Sequence, residues 1–244
     1  MPEWTSTKEL DTVRSNLFCM KKMKIHQHWI FRKLGKPAPK IFIIGFNKCG
    51  TKTINRFFRR NGILSAHHGY HHFLRRTSYN IAARMKKNLE AGLPILSDMS
   101  RYEAFSDLIH LTDKEVIEAN EYFKELNSEY PDAYFIFNDR PVDAWIKSRL
   151  NHEGGPGGSF KGRYRSFTGM TEAEVTALWK QQYETQKAAV LDYFSGNDRF
   201  IYFDITRDGP EELSEALSDD YKLNPAKWSH RGSAAERQKR FGKK

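Results

Sequence analysis

The sequence predicts an α/β fold of three layers, αβα, around a central and mainly parallel sheet. Three observations predict it. Residues 40–58 pass from a short apolar strand, Ile41 to Ile44, through a glycine-bounded turn into a helix with Ile54, Phe57 and Phe58 on one face. The run Ala133 to Phe137 repeats the pattern: a buried strand, the turn Asn138-Asp139-Arg140-Pro141, then a helix carrying Trp145 and Ile146. Strand-like and helix-like runs then alternate along most of the chain. That order builds parallel sheets and gathers the strand–helix turns at one edge, where ligands bind.

Size and charge bound the partners. The chain of 244 residues has room for one large domain with a sizeable core. We place that domain at 40–226, between a helical N-terminal extension (1–39) and a basic tail (227–244). No apolar run is long enough to span a bilayer, so no stable membrane insertion is expected. The opening Met-Pro-Glu-Trp-Thr-Ser lacks the charged-then-apolar pattern of a signal peptide, and Cys19 and Cys49 imply neither a disulfide framework nor a zinc knuckle. A cytoplasmic setting is the plain expectation. The formal charge of +10 is segregated. No Asp or Glu occurs from Thr12 to Leu89, whereas Arg101, Lys114 and Lys124 are the only basic residues between Glu90 and Asp139. Positive potential around residues 40–58 suits a polyanionic nucleotide or an acidic substrate; a solvated basic face is the alternative.

Taken in order, residues 13–34 read as a helix with Val13, Leu17, Met20 and Met23 near one face, and Lys36-Pro37-Ala38-Pro39 as a stiff connector. In the turn after Ile44, a strand end and a helix start together aim backbone N–H groups at one point, and the helix dipole adds positive potential there. Lys48 adds a full charge. Asn61-Gly62 closes this helix, and Ile63-Leu64-Ser65 reads as a second strand. The cluster His67-His68-Gly69-Tyr70-His71-His72 has no neighbouring acid or cysteine and no HExxH spacing, so an active-site histidine or a solvated loop is favoured over a metal site. Residues 77–90 read as a helix, Gly92 to Ser97 as a strand ending at Asp98, and 113–128 as an amphipathic helix. Residues 153–169, with their many glycines and Lys161, Arg163 and Arg165, read as an irregular basic loop, either a lid or a linker. A helix over 171–194 opens with a capping box of Thr171 and Glu174, a strand runs from Arg199 to Asp204, and Gly209-Pro210-Glu211 begins a last helix.

Spacing narrows the chemistry. Gly45 and Gly50 fit a Walker A loop, but Thr51 stands before Lys52-Thr53, so that pattern misses by one residue. Lys48-Cys49-Gly50-Thr51 instead resembles the K-x-G-T loop of the PAPS-dependent sulfotransferase family, whose fold is P-loop-NTPase-like; PAPS is 3′-phosphoadenosine 5′-phosphosulfate. Arg140 at a strand end, with Ser148 eight residues later, is similar to that family's 3′-phosphate site. There the planar guanidinium fork and a hydroxyl hold the phosphate. Arg231, in Trp228-Ser229-His230-Arg231-Gly232, loosely resembles a late element that closes over the same phosphate.

The resemblance implies a transferase that moves a sulfuryl group from PAPS to a hydroxyl or amine by in-line displacement, releasing PAP and needing no metal. The acceptor would be a small molecule or a carbohydrate, and not nucleic acid. Lys48 would neutralise charge on the leaving oxygen, and the backbone N–H groups of Cys49, Gly50, Thr51, Lys52 and Thr53 would hold the 5′-phosphate. For the general base, Asp98 ranks first, then His68, then His67. Three departures from the family stand out: Lys52 replaces a common Thr, Thr53 an aromatic that stacks on adenine in some members, and Cys49 a common Ser. Two other functions compete. A P-loop nucleotide kinase or NTPase would use the cradle for ATP and magnesium; a non-catalytic binder of RNA or another polyanion would use the charge alone.

Overall fold

The structure, a computed structural model, describes residues 38–71, 78–153 and 158–229. The helix expected at 13–34, His72, Arg231 and most of the basic tail lie outside the described residues. Every element below belongs to the unit Pro39–Lys244.

A seven-stranded sheet runs in the order β4-β3-β2-β5-β1-β8-β9. Its five parallel strands are β2 (Ser65–His67), β5 (Ala104–Ser106), β1 (Ile41–Ile43), β8 (Tyr134–Asp139) and β9 (Phe200–Asp204). Two antiparallel strands, β3 (Gly69–His71) and β4 (Ser78–Asn80), extend one edge. A separate hairpin, β6 (Ile109–Leu111) with β7 (Val116–Glu118), follows β5. The helices are α1 (Thr51–Arg60), α2 (Ile81–Glu90), α3 (Phe123–Glu129), α4 (Val142–Leu150), α5 (Phe160–Thr168), α6 (Glu172–Tyr193) and α7 (Pro210–Ala216). The expected α/β class with a mainly parallel central sheet is what the chain adopts.

The central strands are short and apolar because both faces are covered. β1 is wholly buried, and Phe42 stacks against Phe105 at 5.6 Å and packs on Phe135 at 5.3 Å between ring centroids. These rings join Ile81, Ala82 and Met85 of α2, Leu126 of α3 and Val190 of α6 in one core cluster. A second cluster, around Phe46, Trp145, Trp179 and Tyr183, fills the space under the 45–50 turn. Arginine 149 is buried inside it.

Four segments differ from the reading above. The second strand is Ser65–His67, two residues later than expected. Gly92 to Ser97 is not a strand: Asn88 Nδ2 donates to Ile95 O at 3.1 Å, and the Glu129 carboxylate accepts from Ile95 N at 2.9 Å, so side chains satisfy the backbone a ladder would have used. The 113–128 segment breaks because Thr112 Oγ1 accepts from the N–H groups of Lys114 and Glu115 at 3.1 and 2.9 Å. Those bonds close the β6–β7 turn, and only the distal half becomes helical as α3. Part of the expected irregular loop is the helix α5. Ser159 Oγ accepts from Gly162 N, Phe160 and Tyr164 bury one turn apart, and Gly169 ends the helix at φ 72°. Pro141 is the N-cap of α4, whose first helical residue is Val142, and β9 is a half-exposed edge strand. The Thr171–Glu174 capping box forms as expected.

Candidate active site

The 45–50 turn owes its path to two glycines. A Cβ on Gly45 would stand 2.4 Å from both O and Oδ1 of Asn138, so only glycine lets β1 end this close to β8. Gly50 sits at φ 77° as the N-cap of α1 and presents no side-chain cap to the helix. Lys48 shares the left-handed conformation at φ 69°. The carbonyls between them are pulled to one side. Asn47 O accepts from Trp145 Nε1 at 2.8 Å, Lys48 O from Arg140 Nη1 at 2.9 Å and Cys49 O from Asn138 Nδ2 at 2.6 Å. Each peptide is planar and trans, so a carbonyl held inward turns the next N–H outward. The N–H groups of Lys48, Cys49 and Gly50 therefore point away from β8 and α4, at the positive end of α1. Thr53 N differs from its expected role, because it donates back to Gly50 O at 2.9 Å. Lys52 is exposed on α1, while Thr51 and Thr53 are buried. Cys49 contributes backbone: its thiol is buried, lies 4.0 Å from Tyr183 Oη, and is pushed up to about 12, first by burial.

A second layer supports the turn. Arg149, with no exposed surface, donates from Nε to Asn47 Oδ1 at 2.8 Å and pairs with Glu118 of β7 at 2.6 Å. Its guanidinium lies 4.3 Å from the Trp145 ring and 4.8 Å from that of Phe160. Burial pushes the Glu118 carboxyl up, against the pull of Arg149.

Arg140 leaves the end of β8 beside this turn. Its backbone is fixed by Tyr183 Oη, which accepts from Arg140 N at 3.2 Å and lies 2.9 Å from Arg140 O. Asp139 is held by Tyr183, Tyr202 and Lys187, the last at 2.6 Å. Burial works against the Asp139 carboxylate, but those hydrogen bonds keep it below the usual range. Arg140 spends one donor on the turn, while its buried Nε has no partner among the described residues. Ser148 lies half-buried on α4, eight residues beyond Arg140, and no hydrogen bond joins the two among the described residues.

The third part of the site centres on Asp107, which the sequence reading missed. It follows β5 directly, at φ 59°. Because β5 lies between β1 and β2, Asp107 emerges between the glycine turn and the histidine hairpin. Thr51 Oγ1 stands 3.5 Å from its Oδ1, and His67 Nε2 and His68 Nδ1 stand 3.7 and 3.6 Å from its Oδ2. Burial pushes the His67 pKa down, so this ring is neutral near pH 7, with Nδ1 against Ser106 Oγ at 3.0 Å. His68 is half-exposed at the tight β2–β3 turn. Asp98 belongs elsewhere. It lies before β5, near the last turn of α2, paired with Arg84 at 3.2 Å and accepting from Tyr70 Oη at 3.2 Å. That is the entry end of the parallel strands, opposite the glycine turn. A strand-end carboxylate beside a loop hydroxyl, as Asp107 is beside Thr51, is also the setting of a magnesium-holding acid of NTPases. Among the described residues, no group of three or more His, Cys, Asp or Glu side chains could hold a metal ion. No helix among them is long and apolar enough to cross a membrane.

The sulfotransferase domain model matches residues 40–226. The chain belongs to the sulfotransferase family. No curated protein matches it. Among solved structures it is similar to a sulfotransferase from Alicyclobacillus acidocaldarius, at 17% identity over 82% of this chain and 89% of that one, with a TM-score of 0.43. A sugar kinase from Janibacter sp. HTCC2649 aligns at 14% identity over 80% of this chain and 100% of that one, with a TM-score of 0.34.

In this sulfotransferase, the structure brings Lys48, Cys49, Gly50, Thr51 and Arg140 together and sets His67 and His68 beside Asp107. It separates Asp98 from them. The turn's supports, Asn138, Trp145 and Arg149, were unpredicted in that role. Their one sequence trace is that they occupy the strand and helix around Arg140. Asp107 follows Ala104-Phe105-Ser106, too short an apolar run to register as a strand.

Proposed function

We propose that the chain transfers a sulfuryl group from PAPS to a hydroxyl, with the 45–53 turn and Arg140 holding the two phosphate ends of the donor. The observation that carries this reading is the 2.9 Å hydrogen bond from Arg140 Nη1 to Lys48 O, which joins two anion-binding turns about ninety residues apart in sequence. The buried, unpartnered Nε of Arg140 fits a further anionic oxygen, such as that of a 3′-phosphate. The outward N–H groups of Lys48 to Gly50 fit the 5′-phosphate. PAPS, when bound, supplies the sulfuryl group: its S–O bond to the 5′-phosphate breaks as a new S–O bond to the acceptor forms, and PAP departs.

The residues have separable roles. Asp107 takes the proton of the acceptor hydroxyl, and neutral His67, with His68 beside it, orients that hydroxyl at the carboxylate. Lys48 balances charge on the oxygen that leaves, and the α1 dipole assists it. Thr51 holds Asp107 toward the turn. The acceptor is a small molecule or a carbohydrate, the site of action is cytoplasmic, and no metal takes part.

The rival use of the same turn for ATP draws support from Asp107 beside Thr51. Thermal shift separates the two. We expect PAP without metal to stabilise the protein more than ADP with magnesium, and transfer of label from ³⁵S-PAPS to an acceptor. A preference for ADP with magnesium, and no such transfer, would refute the sulfotransfer reading.

A further inference from the structure

We infer that the acceptor is a neutral saccharide and that its body lies in a cavity between the β6–β7 turn and α5, an assignment that rests on the sulfotransfer reading above. The cavity holds about 500 Å³, inside the range of small-molecule pockets of ~300–1,000 Å³. Its lining carries five polar side chains, Thr112, Asp113, Ser159, Arg163 and Ser166, and one large aliphatic one, Leu111, and exposes both polar and apolar surface. Such a wall suits a saccharide, which offers hydroxyls and C–H faces, better than a wholly apolar steroid.

Both hydrogen-bonding senses are present. Arg163 donates from Nη1 to Leu111 O at 2.8 Å, which ties the helix to the hairpin, yet its buried Nε has no partner among the described residues. Asp113 stands exposed at the tip of a turn that Thr112 locks through Lys114 N and Glu115 N. A guanidinium on one wall and a carboxylate on the other match hydroxyls, which donate and accept. The carboxylate also disfavours an acidic acceptor. One turn beyond Arg163 on α5, Phe167 is 45% exposed, an apolar face of the kind that packs on the C–H face of a sugar.

Continuity with Asp107 completes the argument. Leu111 lies four chain steps beyond Asp107, at most about 14 Å of extended chain. Along that path Asn80 Nδ2 donates to Ile109 O of β6 at 2.9 Å and stands 3.5 Å from His68 Nε2. One acceptor can therefore fill the cavity and present a hydroxyl to Asp107.

The test uses the full chain, with and without saturating PAP, and saturation-transfer NMR with millimolar maltotriose, chitotriose and 2-naphthol as probes. We expect saccharide signals that Ser166→Trp, an exposed position facing the cavity, abolishes while PAP affinity and melting temperature hold. Asp113→Ala, on the exposed turn, should weaken saccharide binding about tenfold, the loss of one good hydrogen bond. Absence of saccharide binding, preference for 2-naphthol, or saccharide binding that Ser166→Trp leaves intact overturns the inference without touching the donor site. Saccharide binding lost in Ser166→Trp by a protein that ignores PAP would support the cavity and overturn the donor reading instead.

Discussion

The two sides of the candidate active site are built to different standards. On the β1–β8 side, the glycine turn is held by short hydrogen bonds from Asn138, Arg140, Trp145 and Arg149, between 2.6 and 2.9 Å. On the β2–β5 side, Asp107 meets Thr51, His67 and His68 only at 3.5 to 3.7 Å. The first side is preorganised, so the donor proposed to bind there would cost little ordering energy. The second keeps long contacts that a bound hydroxyl can shorten, as catalytic groups commonly do. On the proposed function the site is tightly held where the donor would bind and loosely held where the proton would move, and that contrast can be broken experimentally.

The largest effect belongs to the loose side. Asp107→Asn removes a proton acceptor and keeps the shape, so kcat should fall by about 10²–10⁴-fold with PAP affinity retained. Single-turnover transfer beside a PAP titration checks it; an undiminished kcat would move the base to His67 or His68.

The next effect belongs to the rigid side. Arg149→Met strands the Glu118 carboxylate in the core and should cost about 3–5 kcal/mol of stability by urea unfolding. The sign with pH follows from Glu118. Burial already raises its pKa, and removing Arg149 raises it further, so the folded variant binds a proton that the unfolded chain has released. The loss should therefore be smaller near pH 5 and grow toward pH 8. A loss that is flat with pH would mean that Glu118 is not the cause.

The smallest effect returns to the loose side. The His67 pKa is lowered by burial, so between that value and the ordinary ~6.5 the unfolded chain holds a proton the folded one lacks. Its contribution is complete above ~6.5 and is lost as pH falls through that window. His67→Gln should flatten this part of the stability curve, measured as melting temperature against pH; an unchanged curve would place the histidine's proton elsewhere.

The same contrast explains what could be read from the sequence. The rigid side rests on local grammar: Ile41 to Ile44, two glycines at set spacing, and an Arg-Pro step after Ala133 to Phe137. Each is a strand–turn–helix within some twenty residues, so its geometry follows from short-range rules. The loose side depends on strand order. Asp107 becomes a site residue only because β5 inserts between β1 and β2, and three residues carry too little pattern to announce that. Asp98 misled for the same reason, since Gly92 to Ser97 has a strand's composition and takes its hydrogen bonds from Asn88 and Glu129. Glycine content hid α5, whose start depends on one serine cap and two aromatic residues. Arg149 gave no signal at all, because a buried ion pair across β7 and α4 has no sequence period.

The central claim is that Arg140 and the 45–50 turn recognise opposite ends of one doubly phosphorylated donor. Calorimetric titration of wild type and Arg140→Ala with PAP and with AMP tests it most directly. Losing a charged hydrogen bond to a 3′-phosphate should weaken PAP by about 10–100-fold and leave AMP, which has no such phosphate, far less affected. Equal losses for the two nucleotides would contradict the account.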